Sequence, residues 1–307
     1  MKMKSDNKLI VMLSTYNGER FLDEQLESIF SQKTDAHIKV VARDDGSKDG
    51  TRTILNKWAT DHDLEIVEDG LSFGAAKSFW RLLNTVGDAD YYAFVDQDDR
   101  WDEDKIQTAI DEIGKREDPT LWFSNFRLID EQGHPLPDDI SNAEPEISME
   151  SELVCGFVSG CAMVFNRAAL QKIRSYPIHQ IPMHDVVMIE YMLAVGKVIY
   201  HSGPLFSYRL HSNNTVAKGG KPFLKRIKTS FKQWFVVNKN ADQKFCGEML
   251  SLVGDELTPE TKNYFEKIAF SKKSLTNRWA IVKDPRSTQN NKSALRSFRM
   301  RALLGIL

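Results

Sequence analysis

The sequence predicts an α/β protein built on a mostly parallel sheet with helices on both faces. Up to Ile113, short apolar segments typical of buried strands alternate with segments whose apolar residues recur at helical spacing. Such alternation is typical of parallel sheets, because parallel neighbours need crossover connections. The chain has 307 residues, of which 41% are hydrophobic and 27% charged, so it can supply the core of one large domain with an appendage.

The elements follow in order along the chain. The predicted strands of the first part are Leu9–Ser14, Ile38–Ala42, Leu64–Val67 and Tyr91–Val95. The helices predicted between and after them are Phe21–Phe30, Thr51–Ala59, Ala75–Val86 and Ile106–Ile113. Further on, the pattern predicts a strand over Phe157–Phe165, helices over Arg167–Ile173 and Asp185–Val195, and strands over Val198–Ser202 and Leu205–Leu210.

Two regions differ in composition. The stretch Asp130–Glu150, rich in Asp, Pro, Ser and Glu, is predicted to be an irregular excursion that could close over a site. From Lys221 onward the pattern is helical and basic, with an apolar face made of Phe223, Ile227, Phe231, Trp234 and Phe235. We therefore expect a domain over residues 1–217 and a basic helical region over residues 218–307.

The net charge of −2 hides an asymmetry. From Lys218 onward the chain holds 19 Lys or Arg against 7 Asp or Glu, so this region is near +12 and the remainder near −14. Such a region favours a polyanionic partner, and we expect peripheral contact with an anionic membrane rather than with nucleic acid. A solvated helical appendage and a homodimer contact are the alternatives.

Cysteine usage and hydropathy predict a cytoplasmic protein, peripheral at most on the inner face of the plasma membrane. No CxxC spacing occurs among the cysteines, which are Cys155, Cys161 and Cys246. The first residues have no apolar core of a signal peptide. The apolar run Val186–Tyr200 is interrupted by Glu190 and Lys197, so it falls short of the roughly 20 residues that span a bilayer.

An acidic cluster ends the fourth predicted strand. Asp96, Asp98 and Asp99 lie within four residues, and like charges so close raise one another's pKa unless a cation lies between them. Carboxylates and substrate phosphates are the ligands that Mg²⁺ prefers. In an extended segment Asp96 and Asp98 would point the same way. The alternative is that Asp98 or Asp99 caps a helix beginning near Trp101.

Polar clusters follow all four of these strands. They are Ser14–Gly18, Asp44–Ser47, Leu71–Ala75 and the cluster at Asp96. Ligands of open α/β sheets bind beyond the carboxyl ends of the strands, so we expect one shared site. Turn residues alone would explain Gly, Asn and single Asp residues here, but not paired Asp twice.

These motifs resemble the family 2 glycosyltransferases, whose GT-A fold combines S/P-x-Y-N, D-D-G-S-x-D-G-T and D-x-D motifs. Here they read Ser14–Asn17, Asp44–Thr51 and Asp96–Asp98, and the likeness covers roughly residues 8–215. The run D-Q-D-D-x-W followed by a helix is similar to the bacterial rhamnosyltransferase-like branch. The resemblance therefore implies a Rossmann-like GT-A domain.

The resemblance also implies roles for individual residues. Asp44 or Asp45 would contact the base or ribose of a nucleotide sugar, because a carboxylate accepts bonds from N–H groups and hydroxyls. The nucleotide-binding set it implies is Ser14, Thr15, Tyr16, Asn17, Asp44, Asp45, Lys77 and Asp96. Asp98 would be the principal ligand of Mg²⁺ or Mn²⁺, with Asp96 on the metal or nucleotide.

Two later segments complete the resemblance. His184-Asp185 matches an acidic pair in the family, which implies that Asp185 is the general base, although His184 departs from the usual Glu. Tyr208–Asn214 resembles a late R-x-H-x-x-N segment, in which His211 would ligate the metal or a phosphate oxygen, or be structural. The further candidate site residues are Asp99, Trp101, His184 and Arg209.

The implied activity is inverting, metal-dependent transfer of one sugar. The donor would be dTDP-rhamnose or a UDP-hexose, and the acceptor a bacterial cell-surface polysaccharide or lipid-linked glycan. G-x-G-x-x-G and G-K-[ST] are absent, and so is the Q-x-x-R-W motif of processive members, which favours single addition. The alternatives are a non-catalytic binding protein and an Asp-nucleophile phosphohydrolase.

Overall fold

The computed structural model describes residues 7–137, 144–175, 179, 183–211, 240–287 and 292–307. Within them, one eight-stranded sheet has the order β3-β2-β1-β4-β7-β6-β8-β5. The strands are β1 Lys8–Thr15, β2 His37–Asp44, β3 Leu64–Val67, β4 Tyr91–Val95, β5 Arg100–Trp101, β6 Thr120–Ile129, β7 Met163–Asn166 and β8 Lys197–Arg209.

Strand direction places the carboxyl ends of the first half of the sheet along one edge. β3, β2, β1 and β4 are mutually parallel. β7 is antiparallel to both β4 and β6, β6 is parallel to β8, and β5 is antiparallel to β8. The predicted α/β architecture with a mostly parallel sheet is confirmed.

Helices cover the sheet and form the last part of the chain. They are α1 Leu22–Phe30, α2 Thr51–Asp61, α3 Ala75–Thr85, α4 Lys105–Ile113, α5 Met149–Val154, α6 Arg167–Arg174, α7 His184–Val195, α8 Ala241–Val253, α9 Pro259–Ala269, α10 Leu275–Lys283 and α11 Lys292–Leu304. In α3, Phe79, Leu82 and Leu83 are buried at helical spacing, which fixes the face that packs on the sheet. The first four predicted strands and the helices that follow them are thus confirmed to within two residues.

Four predictions were wrong or incomplete, three of them for segments that follow α4. β6 was not predicted at all. The strand expected over Phe157–Phe165 contains a 3₁₀ turn at Gly160–Ala162, so that β7 begins only at Met163. The two strands expected between Val198 and Leu210 are one strand, β8, which is interrupted by register shifts beside Pro204. A proline cannot donate to the ladder and is accommodated at such irregularities.

The fourth correction concerns the acidic cluster. Trp101 lies in β5 rather than at a helix start, and α4 begins only at Lys105. Neither Asp98 nor Asp99 can therefore cap that helix, and the capping alternative is wrong. Residues 97 and 98 also form a turn rather than part of an extended segment, so the expected common direction of Asp96 and Asp98 is not imposed by the backbone.

The basic C-terminal region is helical in its described part, as predicted. Its helices α9 and α11 pack against α5, where Glu150 accepts a hydrogen bond from Thr261 at 2.9 Å and pairs with Arg286 at 3.5 Å. The predicted apolar face over residues 223–235 and the boundary at 217/218 lie outside the described residues. No helix in the described part of the chain is both long and apolar enough to cross a bilayer.

The Asp130–Glu150 stretch is described only at its two ends. Its first turn is held by the Asp130 carboxylate, which accepts backbone hydrogen bonds from Gln132 and His134, both at 2.9 Å. Residues 138–143 lie outside the described part, and the closing motion expected for this stretch stays a prediction.

A buried acid beneath the C-terminal helices gives a pH test of the packing. Glu190 in α7 is fully buried, and neither of its carboxyl oxygens has a hydrogen-bond partner among the described residues. Burial, followed by the charges of Glu152 and Glu150, raises the pKa of Glu190 well above its ordinary value. The carboxyl therefore keeps its proton in the folded protein at pH values where the unfolded chain has lost it.

Glu190→Gln is expected to flatten the pH dependence of stability. Above about pH 4.3 the unfolded wild type binds fewer protons, so its free energy of unfolding falls by up to about 1.4 kcal/mol per pH unit. The variant lacks this contribution, so its stability relative to wild type should rise between pH 5 and pH 8 in urea titrations. Glu256→Gln, at an exposed carboxylate, is the control. Parallel curves for Glu190→Gln and wild type would contradict the buried, uncharged state.

Candidate functional site

The loops after β1 and β2 are joined by hydrogen bonds at the carboxyl edge of the sheet. The Asn17 amide donates to Ser47 Oγ at 2.8 Å, and Asn17 Oδ1 accepts from the Lys48 amide at 2.9 Å. Asn17 adopts φ 49°, a left-handed conformation that asparagine tolerates better than most residues. The first two predicted clusters therefore form one continuous rim.

Asp44 lies at the centre of this rim. Its Oδ1 accepts from the Thr15 hydroxyl at 3.0 Å, and its Oδ2 accepts from the Ser47 amide at 3.0 Å. The residue is half-buried, so the carboxylate is held in place while part of it faces solvent. This arrangement suits an acceptor for N–H or O–H groups of a bound molecule.

Asp45 is buried and organises the loop after β3. It pairs with the fully buried Arg43 at 2.6 Å and accepts the amides of Phe73 and Gly74, each at 2.7 Å. Burial alone would raise the pKa of Asp45, but the hydrogen bonds from Arg43 and these amides outweigh it and lower the pKa. Arg43 also binds both oxygens of Asp69 at 3.0 Å, so one cation ties β2 to this loop.

The remaining predicted nucleotide residues divide between the interior and the surface. Ser14 donates to Ser78 at 2.7 Å beneath the rim. Tyr16 is 55% exposed beside the rim, and Lys77 is exposed on the first turn of α3. Phe73 is also exposed, so aromatic surface is available at this edge.

Gln97, which was not among the predicted site residues, links the acidic turn to β1. Its Oε1 accepts the Tyr16 amide at 2.8 Å, and its Nε2 donates to the Tyr16 carbonyl at 3.0 Å. A Cβ on Gly18 would lie 2.2 Å from Gln97 Oε1, so only glycine leaves room for this side chain. The Asn-Gly pair after β1 is therefore shaped by its partner on the acidic turn.

Asp98 and His211 form a close pair at the end of β8. His211 Nε2 lies 2.7 Å from Asp98 Oδ2, and both side chains are largely buried. Arg209 holds the turn from below, because its Nε donates to the Asp98 carbonyl at 2.9 Å and its Nη2 pairs with Glu24 at 2.6 Å. A carboxylate oxygen and an imidazole nitrogen meeting in this way are donors that suit a divalent ion.

Asp96 and Asp99 meet Cys161 on the inner side of the same turn. One ligand atom of each of the three lies within 4.8 Å of the others. Burial, followed by the charges of Asp99, Asp98 and Asp185, raises the pKa of Asp96 well above its usual value. Burial and the charge of Asp98 raise the pKa of Asp99 to about 7. Like charges are thus crowded at this turn, and a bound cation would stabilise their ionised forms.

Lys105, also absent from the predicted set, lies under this acidic turn. It is fully buried, donates to the Cys161 carbonyl at 2.6 Å, and has its ammonium 4.1 Å from the Trp101 ring centroid. Burial lowers the pKa of Lys105 to about 7, although the neighbouring Cys161 and Asp99 raise it. Trp101, a predicted candidate, therefore supports Lys105 from the core.

Asp185 lies in the first turn of α7, and its negative charge contributes to the raised pKa of Asp96. Its Oδ2 accepts the Gly160 amide at 3.3 Å. His184 points into the core, where its ring stacks on Phe79 with centroids 4.1 Å apart. Neither ring nitrogen of His184 has a hydrogen-bond partner among the described residues, and burial lowers its pKa.

The structure thus brings most predicted site residues to one edge. Asp44, Asp96 and Asp98 approach it from β2 and β4, His211 from β8, and Asp185 from α7. The sequence analysis missed four residues of the site, which are Arg43, Gln97, Cys161 and Lys105. Only Gln97 could have been inferred from the local sequence, because it lies inside the acidic motif.

The family model for glycosyl transferase family 2 matches residues 10–174. The dTDP-rhamnosyl transferase RfbG of Shigella flexneri is 28% identical over 262 residues, which cover 78% of this chain and 88% of RfbG.

Solved structures share the fold at low identity. Residues 1–349 of S. aureus TarS in complex with UDP-GlcNAc superpose with a TM-score of 0.62 at 17% identity, covering 96% of this chain and 81% of that one. The mannosyltransferase PcManGT from Pyrobaculum calidifontis, in complex with GDP-Man and Mn²⁺, gives a TM-score of 0.52 at 18% identity, covering 98% and 77%.

These likenesses confirm the predicted GT-A fold and the resemblance to rhamnosyltransferase-like proteins. The family match extends over more than half of the sequence and includes the segments from β1 to α6. The chain therefore belongs to glycosyl transferase family 2 and is a glycosyltransferase.

Proposed function

We propose that this glycosyltransferase is inverting and metal-dependent, and that it moves a single sugar from a nucleotide diphosphate sugar to a glycan hydroxyl. The observation that carries the proposal is the pair Asp98 and His211, 2.7 Å apart, which joins the acidic turn after β4 to the end of β8. The charge of Asp185 also acts on Asp96 in this turn. Donor, metal and base functions would then share one edge of the sheet.

The donor nucleotide would lie across the loops after β1 and β2. Asp44 would accept from the base or ribose, with Thr15 and Asn17 fixing the loops and Tyr16 and Phe73 offering aromatic surface. Asp45 would act from beneath, by holding the Phe73 loop. RfbG is a dTDP-rhamnosyl transferase and TarS binds UDP-GlcNAc, which supports dTDP-rhamnose or a UDP-hexose as the donor.

The residues at the acidic turn fit Mg²⁺ or Mn²⁺. Asp98 and His211 would be ligands, and Asp96 would face the ion or the diphosphate. Burial and the neighbouring carboxylates raise the pKa values of Asp96 and Asp99, and one Asp99 oxygen has no hydrogen-bond partner among the described residues. When bound, the ion would offset charge on the departing diphosphate. The PcManGT complex with Mn²⁺ supports this choice.

Asp185 would be the general base. The half-buried carboxylate would take the proton of the acceptor hydroxyl as its oxygen attacks the anomeric carbon from the side opposite the nucleotide. The Gly160 amide would hold the carboxylate in place from the neighbouring 3₁₀ turn. His184, which stands where the family usually has Glu, is packed among aromatic rings. The role of general base would therefore fall to Asp185 alone.

The acceptor would be a hydroxyl of a cell-surface polysaccharide or its lipid-linked precursor, as the likeness to RfbG supports. The three cysteines are free and two are buried, which favours a cytoplasmic location. Division into residues 1–217 for catalysis and 218–307 for contacts is part of the same proposal.

Release of free nucleotide from a donor panel tests the proposal. The panel contains dTDP-rhamnose, UDP-GlcNAc, UDP-glucose and UDP-galactose, each with Mn²⁺ or Mg²⁺ and a glycan acceptor. We expect dTDP or UDP to appear with one donor class and only with the metal present. Donor binding without release would favour a non-catalytic binding protein, and a phosphoaspartate intermediate would favour the phosphohydrolase.

Gly18→Ala is expected to weaken donor binding roughly tenfold. The added methyl would displace Gln97 from Tyr16, which loses two hydrogen bonds of about 1 kcal/mol each, partly recovered by water. Gly87→Ala is the matched control, because nothing lies within 4 Å of its new methyl. In titration calorimetry with the active nucleotide, the double variant Gly18→Ala/Gln97→Ala should have nearly the same Kd as Gln97→Ala alone. Full additivity would show that the two positions act independently.

A further inference from the structure

Exposed apolar side chains are concentrated in the last part of the chain. Six of the ten large hydrophobic residues that are exposed in the described part lie within residues 270–307, and Leu275 at 69% and Trp279 at 56% are among the most exposed. We call these six residues the C-terminal face; they are Phe270, Leu275, Trp279, Met300, Leu303 and Leu304. Isolated exposed apolar residues are ordinary, but such a concentration marks an interaction surface.

Contacts between backbone and side chains bring the parts of this face together. Arg278 donates to the Lys272 carbonyl at 2.7 Å and to the Leu303 carbonyl at 3.4 Å. It therefore links the turn before α10, α10 itself and the end of α11. Leu275 and Trp279 are four residues apart, so they share one side of α10.

The same segment is strongly basic. Residues 270–307 contain nine Lys or Arg and a single Asp. By contrast, residues 240–269 contain three Lys and six Asp or Glu, so the helices that precede this segment do not share its positive charge. Lys272 and Lys273 are exposed beside Phe270, and Lys283 lies 5.9 Å from the Trp279 ring centroid.

We propose that the C-terminal face docks the protein on an anionic lipid surface. Trp and Leu side chains with Lys and Arg around them match an interface that is apolar beneath and negatively charged above. A second copy of the chain is a poorer partner, because an isologous dimer through this face would place its cations against an identical set.

The helices of the C-terminal face are also connected, through α5, to the helix that carries the proposed general base. α5 contacts α9 and α11 and also contacts α7, which carries Asp185. Glu152 in α5 accepts the Phe157 amide at 2.9 Å, and its pKa is raised to about 8 by burial and, to a lesser extent, by the charge of Asp185. α5 thus links the helices of the C-terminal face to the helix that carries Asp185, and a lipid-linked acceptor would lie at the same membrane. The membrane contact stands by itself, whereas the choice of acceptor rests on the proposed function.

Co-sedimentation of the full chain with vesicles tests the docking. Vesicles of phosphatidylcholine with phosphatidylglycerol should bind the protein, binding should weaken as salt rises, and phosphatidylcholine alone should bind little. Lys272→Glu/Lys273→Glu should lower the partition coefficient at least about 25-fold, from about fivefold for each cation. Leu275→Ala/Trp279→Ala should lower it by about tenfold or more.

Controls separate this inference from changes in folding and from the proposed activity. Lys115→Glu/Arg116→Glu changes two exposed cations after α4 and should leave vesicle binding within about twofold of wild type. Thermal melts should be unchanged in all variants, since the altered residues are exposed. Equal binding by wild type and the face variants, or a dimer that dissociates on Trp279→Ala, would overturn the proposal. Donor turnover in solution should be unaffected by the face variants; if wild type bound vesicles but released no nucleotide, only the proposed function would fail.

Discussion

Asp185→Asn is expected to lower kcat for sugar transfer by about 10²–10⁴-fold while leaving donor binding nearly unchanged. General base catalysis contributes a factor of this size, because a sugar hydroxyl is a weak nucleophile until its proton is being removed. Asn keeps the shape of the side chain and can still accept the Gly160 amide through its oxygen. The measurement is nucleotide release at saturating donor, together with the Kd of the donor.

A matched variant distinguishes loss of the base from loss of packing. Glu248→Gln changes a carboxylate of α8 that contacts His179 and lies outside the candidate site. It should retain wild-type kcat. If Asp185→Asn retained more than about a tenth of the wild-type rate, another group would have to be the base.

Asp98→Asn is expected to reduce metal-dependent turnover by at least about a hundredfold. Loss of one anionic ligand weakens binding of the ion. The bound ion contributes several kcal/mol of charge stabilisation in the transition state, and each 1.4 kcal/mol changes the rate by about tenfold. His211→Ala should also reduce metal-dependent turnover, but by less, because Asp98 remains as a ligand.

The metal titration of Asp98→Asn gives the specific signature. Its activity should need a higher Mn²⁺ concentration than wild type, and chelation followed by Mn²⁺ addition should restore wild type fully. Asp104→Asn, an exposed acid at the start of α4, should match wild type in both respects. A normal Mn²⁺ requirement in Asp98→Asn would place the ion elsewhere.

Local patterns explain why the first half of the fold could be predicted. β1 and β4 are nearly continuous apolar runs, and helices such as α3 have apolar residues at regular spacing. β8 could not be read in the same way, because Gly203 and Pro204 interrupt it like a turn although its pairing with β6 continues past them. Its true extent depends on a neighbour that is about 80 residues away.

The site residues, like the strands, differ in whether local sequence could predict their positions. Asp44 ends β2 and Asp98 lies in the turn after β4, so the sequence places both at the carboxyl edge. Cys161 reaches the acidic turn only because β7 is inserted antiparallel beside β4, and Lys105 only because α4 packs beneath Trp101. Both depend on tertiary pairing that no local spacing encodes.

The anomeric configuration of the transferred sugar tests the central claim most directly. With the active donor and its acceptor, proton NMR of the product should show a configuration opposite to that of the donor, because the Asp185-activated oxygen attacks from the face away from the nucleotide. Retention of the donor configuration would contradict a single displacement at this site and the role of Asp185 within it.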